Sequence, residues 1–321
     1  MIKKFKFLLI HDEKISSYNQ AFGLINSIKK YAKSTVQITS REFNPKFIGY
    51  LPNLIIYYIL HFKYLFFNKE LDNKTVNCII CCGRVSAPLS LIYKKKYNIK
   101  IISILDPYFK RDCFDKIIIP FHDEKKNGDN IIYLTGSLVN ESLKTIPNST
   151  KQKFLNLIPN NRKIITILIG GSGKSAAISK SEIYSLSYQL KKIDIHKYNL
   201  NFLFSRRTND FIKEIIKNNF HKKSYIWDEN SENPYWYLLN KSEYIIITED
   251  SVSMISEAIS FNKPVYVFLL RKIKSKIRKF NQDLMNKGII RGFNGFVKKW
   301  DYNKINETKR IAINIIDYLK I

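Results

Sequence analysis

A short polar stretch in the last third of the chain carries residue types suited to gripping a nucleotide. It begins at Thr248-Glu249-Asp250-Ser251, directly after an apolar run, and ends at Glu257. Ser251 and Ser253 suit either the cap of a helix or donation to a phosphate. Glu257 lies one helical turn beyond Ser253, where a carboxylate can accept hydrogen bonds from two ribose hydroxyls. Capping alone would explain the serines, but it would not explain a glutamate turned toward a ligand.

A glycine-rich turn is the second candidate phosphate contact. Gly170-Gly171-Ser172-Gly173-Lys174-Ser175 follows the apolar run Lys163 to Ile169, and we expect it to precede a helix. Backbone N–H groups in such a turn can cradle a diphosphate. The turn is an incomplete Walker A loop, because that motif needs a glycine where this chain has Leu168. A simple tight turn is the alternative.

Two further groups of polar residues follow predicted strands. Ser205-Arg206-Arg207 offers guanidinium groups suited to phosphate, although two solvated arginines are also expected in so basic a protein. His122-Asp123 and His11-Asp12 lie after strands of the first half and are the candidates for a catalytic general base. Purely structural histidines are the alternative to that role.

Alternating apolar runs and helical patterns must position these residues. Short apolar runs separated by helices indicate parallel sheets, which bind ligands at the carboxyl ends of their strands. The predicted strands are 5–10, 36–39, 76–82, 99–105, 114–119, 130–134, 163–169, 201–204, 225–227, 244–247 and a run after Lys263-Pro264.

The chain length fits two α/β domains. A single core rarely extends over 321 residues, and the proline- and asparagine-rich stretch from Ile146 to Asn161 is the best linker candidate. We therefore predict a Rossmann-like domain over residues 1–150, a second over 151–300 and a carboxy-terminal helix over 301–321. Within the last segment, Lys304 to Leu319 has the pattern of an amphipathic helix.

The protein is strongly basic. Its 54 lysines and arginines outnumber 27 acidic residues, which gives a formal net charge of +27. Such a positive field attracts anionic lipids, nucleotides or nucleic acid, although a composition rich in Lys, Ile and Asn is a simpler explanation. We do not expect nucleic acid as a partner, because charge is its only support and the sequence has no recognised nucleic-acid-binding module.

The most apolar segment runs from Leu51 to Phe67. His61 and Lys63 interrupt it, and it is shorter than the roughly 20 residues that span a bilayer. A core helix of the first domain and a helix lying on a membrane surface both remain open. The amino terminus has only a short apolar core and no small-residue cleavage site, so it is interpreted as a first strand and not as a signal peptide.

Three of the four cysteines fall within the predicted strand Val76 to Cys82. In a strand, Cys78 and Cys81 point to opposite faces, which does not suit a zinc site, and no second pair exists. We expect buried thiols in a reducing cytosol, and neither a metal site nor a cofactor.

Taken in order along the chain, a set of short motifs resembles the plant "elongated mitochondria" fission proteins and their alphaproteobacterial homologues, a family grouped with GT-B glycosyltransferase-like folds. The family's first loop is usually glycine-rich, whereas here it is His11-Asp12-Glu13-Lys14-Ile15-Ser16-Ser17. The motifs that carry the resemblance are Gly83-Arg84-x-Ser86-Ala87-Pro88, Asp106-Pro107, Pro120-Phe121-His122-Asp123, Thr135-Gly136, Ile169-Gly170-Gly171, Ser205-Arg206-Arg207-Thr208, Glu232-Asn233-Pro234-Tyr235, Thr248-x-Asp250-Ser251-Val252-Ser253-Met254-Ile255-Ser256-Glu257-Ala258 and Lys263-Pro264-Val265.

The resemblance implies an α/β protein with two Rossmann-like domains facing across a cleft and a carboxy-terminal helix that crosses back to the first domain. In similar GT-B enzymes the second domain holds a nucleotide sugar through a glycine turn and a Ser/Thr-x-x-x-Glu helix, a spacing that Ser253 and Glu257 match. The implied nucleotide-binding residues are Gly170, Gly171, Ser172, Ser205, Arg206, Asp250, Ser251, Ser253, Met254 and Glu257.

The expected function is therefore a GT-B-type glycosyltransferase that uses a nucleotide-diphosphate sugar at the inner membrane surface, with His122 and Asp123 as candidate catalytic residues. An anionic membrane surface or a lipid-linked acceptor is a further candidate partner. We expect a cytoplasmic protein, with peripheral attachment to the inner face of the inner membrane as a candidate location. The alternative function is a non-catalytic, membrane-associated adaptor that keeps the fold without the chemistry.

Overall fold

The computed structural model describes residues 4–66, 76–123, 128–158, 162–173 and 175–321. The chain divides into two compact units: unit 1 comprises Met1–Ser142 with Asn306–Ile321, and unit 2 comprises Leu143–Ile305. The residues predicted as a linker begin unit 2, and ten of them form a helix. Three parts of the predicted elements lie outside the described residues, namely Phe67, Pro159 to Asn161 and Lys174.

Unit 1 is built on a six-stranded parallel sheet with the order β2-β1-β3-β4-β5-β6. Apolar clusters cover both faces of the sheet, which is why its strands are continuous apolar runs. The strands are β1 (Lys4–His11), β2 (Thr35–Glu42), β3 (Cys78–Cys82), β4 (Lys100–Ile104), β5 (Lys116–Pro120) and β6 (Ile131–Leu134), and the helices between them are α1 (Ile15–Tyr31), α2 (Asn53–Phe66) and α3 (Ser86–Tyr97).

The cysteines of β3 divide between the two faces as predicted. Cys78 and Cys82 belong to one apolar cluster and Cys81 to the other, and all three thiols are free and buried. Burial raises the pKa of each of these thiols, that of Cys81 to about 11. These cysteines are therefore core residues that stay protonated at neutral pH.

Unit 2 repeats the architecture with the sheet order β10-β9-β7-β11-β12-β14, again parallel, and a small antiparallel pair formed by β8 and β13. Its strands are β7 (Lys163–Ile169), β8 (Ala176–Ala177), β9 (Tyr198–Phe204), β10 (Tyr225–Ile226), β11 (Tyr244–Thr248), β12 (Val265–Phe268), β13 (Lys272–Ile273) and β14 (Ile290–Gly292), and its helices are α4 (Asn148–Leu157), α5 (Lys180–Leu190), α6 (Asp210–Phe220), α7 (Tyr235–Lys241), α8 (Val252–Ile259) and α9 (Ser275–Asn286).

The last helix, α10 (Glu307–Leu319), returns to unit 1, as the resemblance implied. Its apolar stripe, which includes Ile311 and Ile315, lies in the same cluster as the buried residues of α1. Glu307 Oε2 accepts a hydrogen bond from the Thr135 N–H over 2.7 Å, and Thr308 Oγ1 accepts one from the Val139 N–H over 2.8 Å. The helix is therefore fixed by both apolar packing and polar contacts with the loops after β6.

The apolar segment that begins at Leu51 forms α2. Ile56, Tyr57 and Leu60 on one side of this helix are buried in the core of unit 1, whereas Leu54 and Tyr58 on the other side are exposed. Across the part of the chain that the structure describes, every helix is too short or too polar to cross a membrane.

Candidate functional site

The order of strands in unit 2 defines where a ligand can bind. From β7 the chain proceeds to β9 and β10 on one side of the sheet, then returns to place β11, β12 and β14 on the other side. The loops after β7 and β11 therefore diverge at a topological switch point, where open α/β sheets bind their ligands. These are the two loops that the sequence singles out, Gly170 to Ser175 and Thr248 to Ser251.

Glycine is required where these loops meet. A Cβ atom at Gly170 would lie 2.0 Å from either carboxylate oxygen of Asp250, and one at Gly171 would lie 1.9 Å from the Arg207 carbonyl oxygen. Any larger side chain would push the loops after β7, β9 and β11 apart. The two glycines thus serve close packing between the three loops.

The expectation that the glycine turn cradles phosphate needs correction in two respects. The Gly170 N–H donates to Thr248 Oγ1 over 2.7 Å and the Gly171 N–H donates to Asp250 Oδ2 over 3.1 Å, so both groups are engaged within the protein. The turn also leads into β8, and the next helix begins only at Lys180. The buried carboxylate of Asp250 is therefore the anionic group that the Gly171 N–H contacts.

Asp250 therefore connects the loops after β7, β9 and β11. Its carboxylate is buried, accepts from Thr248 Oγ1 over 2.7 Å as well as from Gly171, and lies 4.0 Å from the Arg207 guanidinium. Burial raises the pKa of Asp250, and the hydrogen bonds from Thr248 and Gly171 oppose that rise. These contacts hold the loops after β7, β9 and β11 in position.

Glu249 has a similar role on the other side of β11. It is fully buried, accepts from the Leu270 N–H over 2.9 Å and forms an ion pair with Arg278 Nε at 3.2 Å. Burial raises its pKa, while the Leu270 hydrogen bond and the Arg278 charge lower it. Glu249 thus links the loop after β11 to Leu270, which follows β12, and to Arg278 on α9.

Helix α8 begins directly after these carboxylates. Ser251 is its N-cap and accepts from the Met254 N–H over 3.4 Å. The first N–H groups of the helix, those of Val252 and Ser253, have no acceptor within the helix because none precedes them. Ser251, Ser253 and Met254 are all partly exposed, so this helix end is open to a ligand.

Glu257 lies on α8 at the predicted spacing from Ser253, and the structure adds a partner that the predicted site lacks. Tyr235, the first residue of α7, donates from its hydroxyl to Glu257 Oε2 over 2.5 Å. Burial raises the pKa of Glu257 to about 7, and the Tyr235 hydrogen bond opposes the rise. Tyr235 belongs to the sequence motif Glu232-Asn233-Pro234-Tyr235. The sequence could not predict its contact with Glu257, because the two residues are 22 positions apart in the chain.

The loop after β9 presents its arginines to solvent. Ser205 and Thr208 fix its backbone, because Thr208 Oγ1 accepts from the Ser205 N–H over 2.9 Å and donates to the Gly170 carbonyl over 2.8 Å. Arg206 and Arg207 are exposed. The loop therefore offers two guanidinium groups beside the switch point on a rigid backbone.

In unit 1 the switch point falls between β1 and β3, which places His11-Asp12 and Gly83 at it. Both His11 and Asp12 are buried, and His11 Nδ1 lies 2.8 Å from the Asp12 carbonyl oxygen. Gly83 has a positive φ of 94°, and a Cβ there would lie 2.6 Å from Asp12 Oδ2.

His122 and Asp123 follow β5 in a single 3-10 turn and are partly buried. Each of the two His-Asp pairs lies at a strand's carboxyl end.

In the described ranges, no three His, Cys, Asp or Glu side chains are grouped so that they could hold a metal ion. The groups of unit 2 that could meet the charge of a phosphate are the arginines after β9 and the amino end of α8.

Two Rossmann-like units with these sheets and loops define the class as a GT-B-type α/β protein. Solved structures of that fold agree: a UDP-GlcNAc 2-epimerase from Neisseria meningitidis, bound to UDP-GlcNAc, matches 98% of this chain and 93% of its own with a TM-score of 0.57 and 17% identity. A likeness at that identity establishes the fold and leaves the reaction open.

The chain belongs to the mitochondrial fission ELM1 family, whose model matches residues 17–319. A Rickettsia prowazekii protein, RP120, is 30% identical over 98% of both chains. Mitochondrial fission protein ELM1 of Arabidopsis thaliana is 26% identical over 74% of this chain, and the match spans 62% of the length of the plant protein.

Proposed function

We propose that unit 2 binds a nucleotide-diphosphate sugar and that the protein is a GT-B-type glycosyltransferase acting at the inner membrane surface. The observation that carries the proposal is the Tyr235–Glu257 pair on the helix that begins at the switch point of unit 2. A carboxylate held there by a tyrosine has a second oxygen with which to accept from a ribose diol.

The diphosphate would be bound by groups beside that carboxylate. The amino end of α8 and the partly exposed Ser253 offer hydrogen-bond donors, and Arg206 offers a charged donor on the neighbouring loop. Ser172 lies on the loop after β7, where its hydroxyl already accepts from the Ile178 N–H over 3.2 Å. Gly170 and Gly171 position these elements instead of contacting the phosphate directly.

In the transfer step, an acceptor hydroxyl oxygen would form a bond to the anomeric carbon of the sugar while the bond from that carbon to the diphosphate oxygen breaks. The acceptor proton would pass to a general base, and the nucleoside diphosphate would leave with the bonding electron pair. His122-Asp123 and His11-Asp12 are the candidate bases, since each pair lies at the carboxyl end of a strand.

Calorimetric titration with UDP tests the nucleotide part of this proposal. We expect Glu257→Ala and Arg206→Ala to weaken UDP binding by at least tenfold, since each removes a charged hydrogen-bonding partner. Glu214→Ala and Lys217→Ala, which alter exposed charges on α6 of the same unit, should bind within twofold of wild type. Absence of UDP, GDP and ADP binding to the wild-type protein would refute the proposal.

Transfer from a radiolabelled UDP-sugar to membrane extracts tests the reaction itself. Product that disappears in Glu257→Ala would support a transferase. Nucleotide-independent membrane association without any turnover would support the non-catalytic adaptor instead.

A further inference from the structure

Unit 1 exposes an apolar surface that the proposed transfer reaction does not use. The side chains of Phe47 and Tyr50 are 88% and 89% exposed, although large aromatic residues are usually buried. They lie in the short 3-10 turn that directly precedes α2. The aromatic face consists of these two side chains and the exposed side of the helix, namely Phe47, Tyr50, Leu54, Ile55, Tyr58 and Phe62.

The outward side of α2 is unusual for a helix in water. Leu54, Tyr58 and Phe62 follow one another at intervals of four residues and therefore share one side of the helix. Tyr58 is 56% and Phe62 is 64% exposed, while the opposite side is already buried in the core of unit 1. A surface helix normally turns polar residues outward, whereas α2 carries apolar residues on both its buried and its exposed side.

A partly buried polar network holds the backbone of the aromatic face in place. Arg84, on the loop after β3, donates to the Gly49 carbonyl, to the Leu51 carbonyl over 2.8 Å and to Asn53 Oδ1 over 2.9 Å. Asn53 is buried and in turn donates to the Arg84 carbonyl over 2.8 Å and to the Pro107 carbonyl over 2.6 Å. The exposed side chains are therefore presented on a fixed backbone.

Every charged side chain that the segment of the aromatic face itself contributes is basic, and the nearby Glu13 accepts a hydrogen bond from Asn44 of that segment. Residues 43–66 contain no aspartate or glutamate, and the exposed Lys46 and Lys63 lie within them. Lys110 adds a third cation, with its Nζ 5.6 Å from the centre of the Tyr58 ring. Lysine is depleted in protein–protein interfaces, whereas lysine beside exposed aromatic residues suits a bilayer with anionic headgroups.

We propose that the aromatic face is a membrane-docking surface that inserts into the headgroup region of an anionic bilayer, with Lys46, Lys63 and Lys110 contacting the lipid phosphates. The inference rests on the membrane location in the proposed function and names the surface responsible for it. Nucleotide binding is assigned to unit 2, so the two proposals fail separately.

Co-sedimentation with phosphatidylcholine vesicles containing 30% phosphatidylglycerol tests the docking surface. We expect Phe47→Ser/Tyr50→Ser and, independently, Tyr58→Ser/Phe62→Ser to reduce the bound fraction at least fivefold. The matched control is Tyr184→Ser/Tyr188→Ser on α5, whose rings are similarly exposed at 57% and 67% and have the same spacing as Tyr58 and Phe62. That variant should bind within twofold of wild type, and all variants should keep the UDP affinity of wild type.

A second pair of variants tests whether vesicle binding depends on the lysines at the aromatic face or only on the net charge of the protein. Lys46→Glu/Lys63→Glu and Lys222→Glu/Lys223→Glu change the net charge equally, but only the first pair lies at the aromatic face. We expect only the first to lose binding to the anionic vesicles.

Four results would overturn the proposal. The first three are wild-type protein that does not sediment with anionic vesicles, aromatic-face variants that sediment as wild type does, and equal losses in both charge variants. A vesicle-free dimer that the aromatic-face variants abolish would assign the surface to a second copy of the chain and would equally refute the proposal.

Discussion

Tyr235 at the start of α7 donates a 2.5 Å hydrogen bond to Oε2 of Glu257 on α8, and the two residues are separated by 22 positions in the chain. The carboxylate of Glu257 is desolvated, so its charged form is costly, and the phenol is the group that offsets part of this cost. Burial and the neighbouring carboxylate also raise the pKa of Tyr235, which keeps its hydroxyl a donor at neutral pH. The pair has measurable consequences for stability as well as for binding.

Glu257→Gln should change how stability depends on pH. The folded-state pKa of about 7 lies above the ordinary value of 4.5, so the folded protein holds the proton more tightly than the unfolded chain does. The stabilisation from this group is therefore complete below pH 4.5 and is lost as the pH rises to about 7. In Glu257→Gln that decline should be absent. At pH 8 the free energy of unfolding of the variant should therefore exceed that of wild type by an amount on the order of 1–3 kcal/mol.

Urea unfolding followed by tryptophan fluorescence measures this effect in the relevant unit, because Trp227, Trp236 and Trp300 all lie in unit 2. Parallel stability profiles for wild type and variant between pH 4.5 and 8 would contradict the assigned shift.

Tyr235→Phe should raise the pKa of Glu257 above its wild-type value, because it removes the hydrogen bond that opposes desolvation. The variant should lose about 1–2 kcal/mol of stability at pH 8, and the decline in its stability should extend to higher pH. Urea titrations across the same pH range would show both effects.

Tyr302→Phe is the matched control for that variant. The Tyr302 hydroxyl also makes hydrogen bonds, at 2.8 Å from the Lys263 carbonyl and 3.1 Å from the Ile259 carbonyl, and it does not contribute to the pKa shift of Glu257. It should lower stability without moving the pH dependence. A shift of the same size in both variants would show that the Tyr235 contact does not control the titration.

Gly171→Ala should destabilise unit 2 by about 2 kcal/mol or more and weaken UDP binding, since the new Cβ would lie 1.9 Å from a backbone oxygen of the neighbouring loop. Gly292→Ala in β14 is the control, because a Cβ there has no atom within 4 Å and the backbone does not require glycine. It should stay within about 0.5 kcal/mol of wild type. Equal urea midpoints for the two variants would be incompatible with the close approach of the loops after β7 and β9.

Much of the candidate site could be predicted because its members are local in sequence. The apolar runs of β7 and β11, the capping serine at position 251 and the four-residue interval from Ser253 to Glu257 all follow from patterns within single elements. The return of α10 to unit 1 required the family resemblance, since amphipathic periodicity identifies a buried stripe and not its partner.

The sequence by itself determined two α/β halves, their strand-end loops and the spacing on α8, because hydrophobic periodicity and capping are properties of neighbouring residues. Only the tertiary structure decided which groups those loops engage. In the folded chain the Gly170 and Gly171 N–H groups donate to Thr248 and Asp250, and Tyr235 donates to Glu257. These partners lie far apart in the sequence, and the packing of the strands and helices brings them together. It also decided which apolar residues of α2 are exposed, because only one side of a helix can pack against the core.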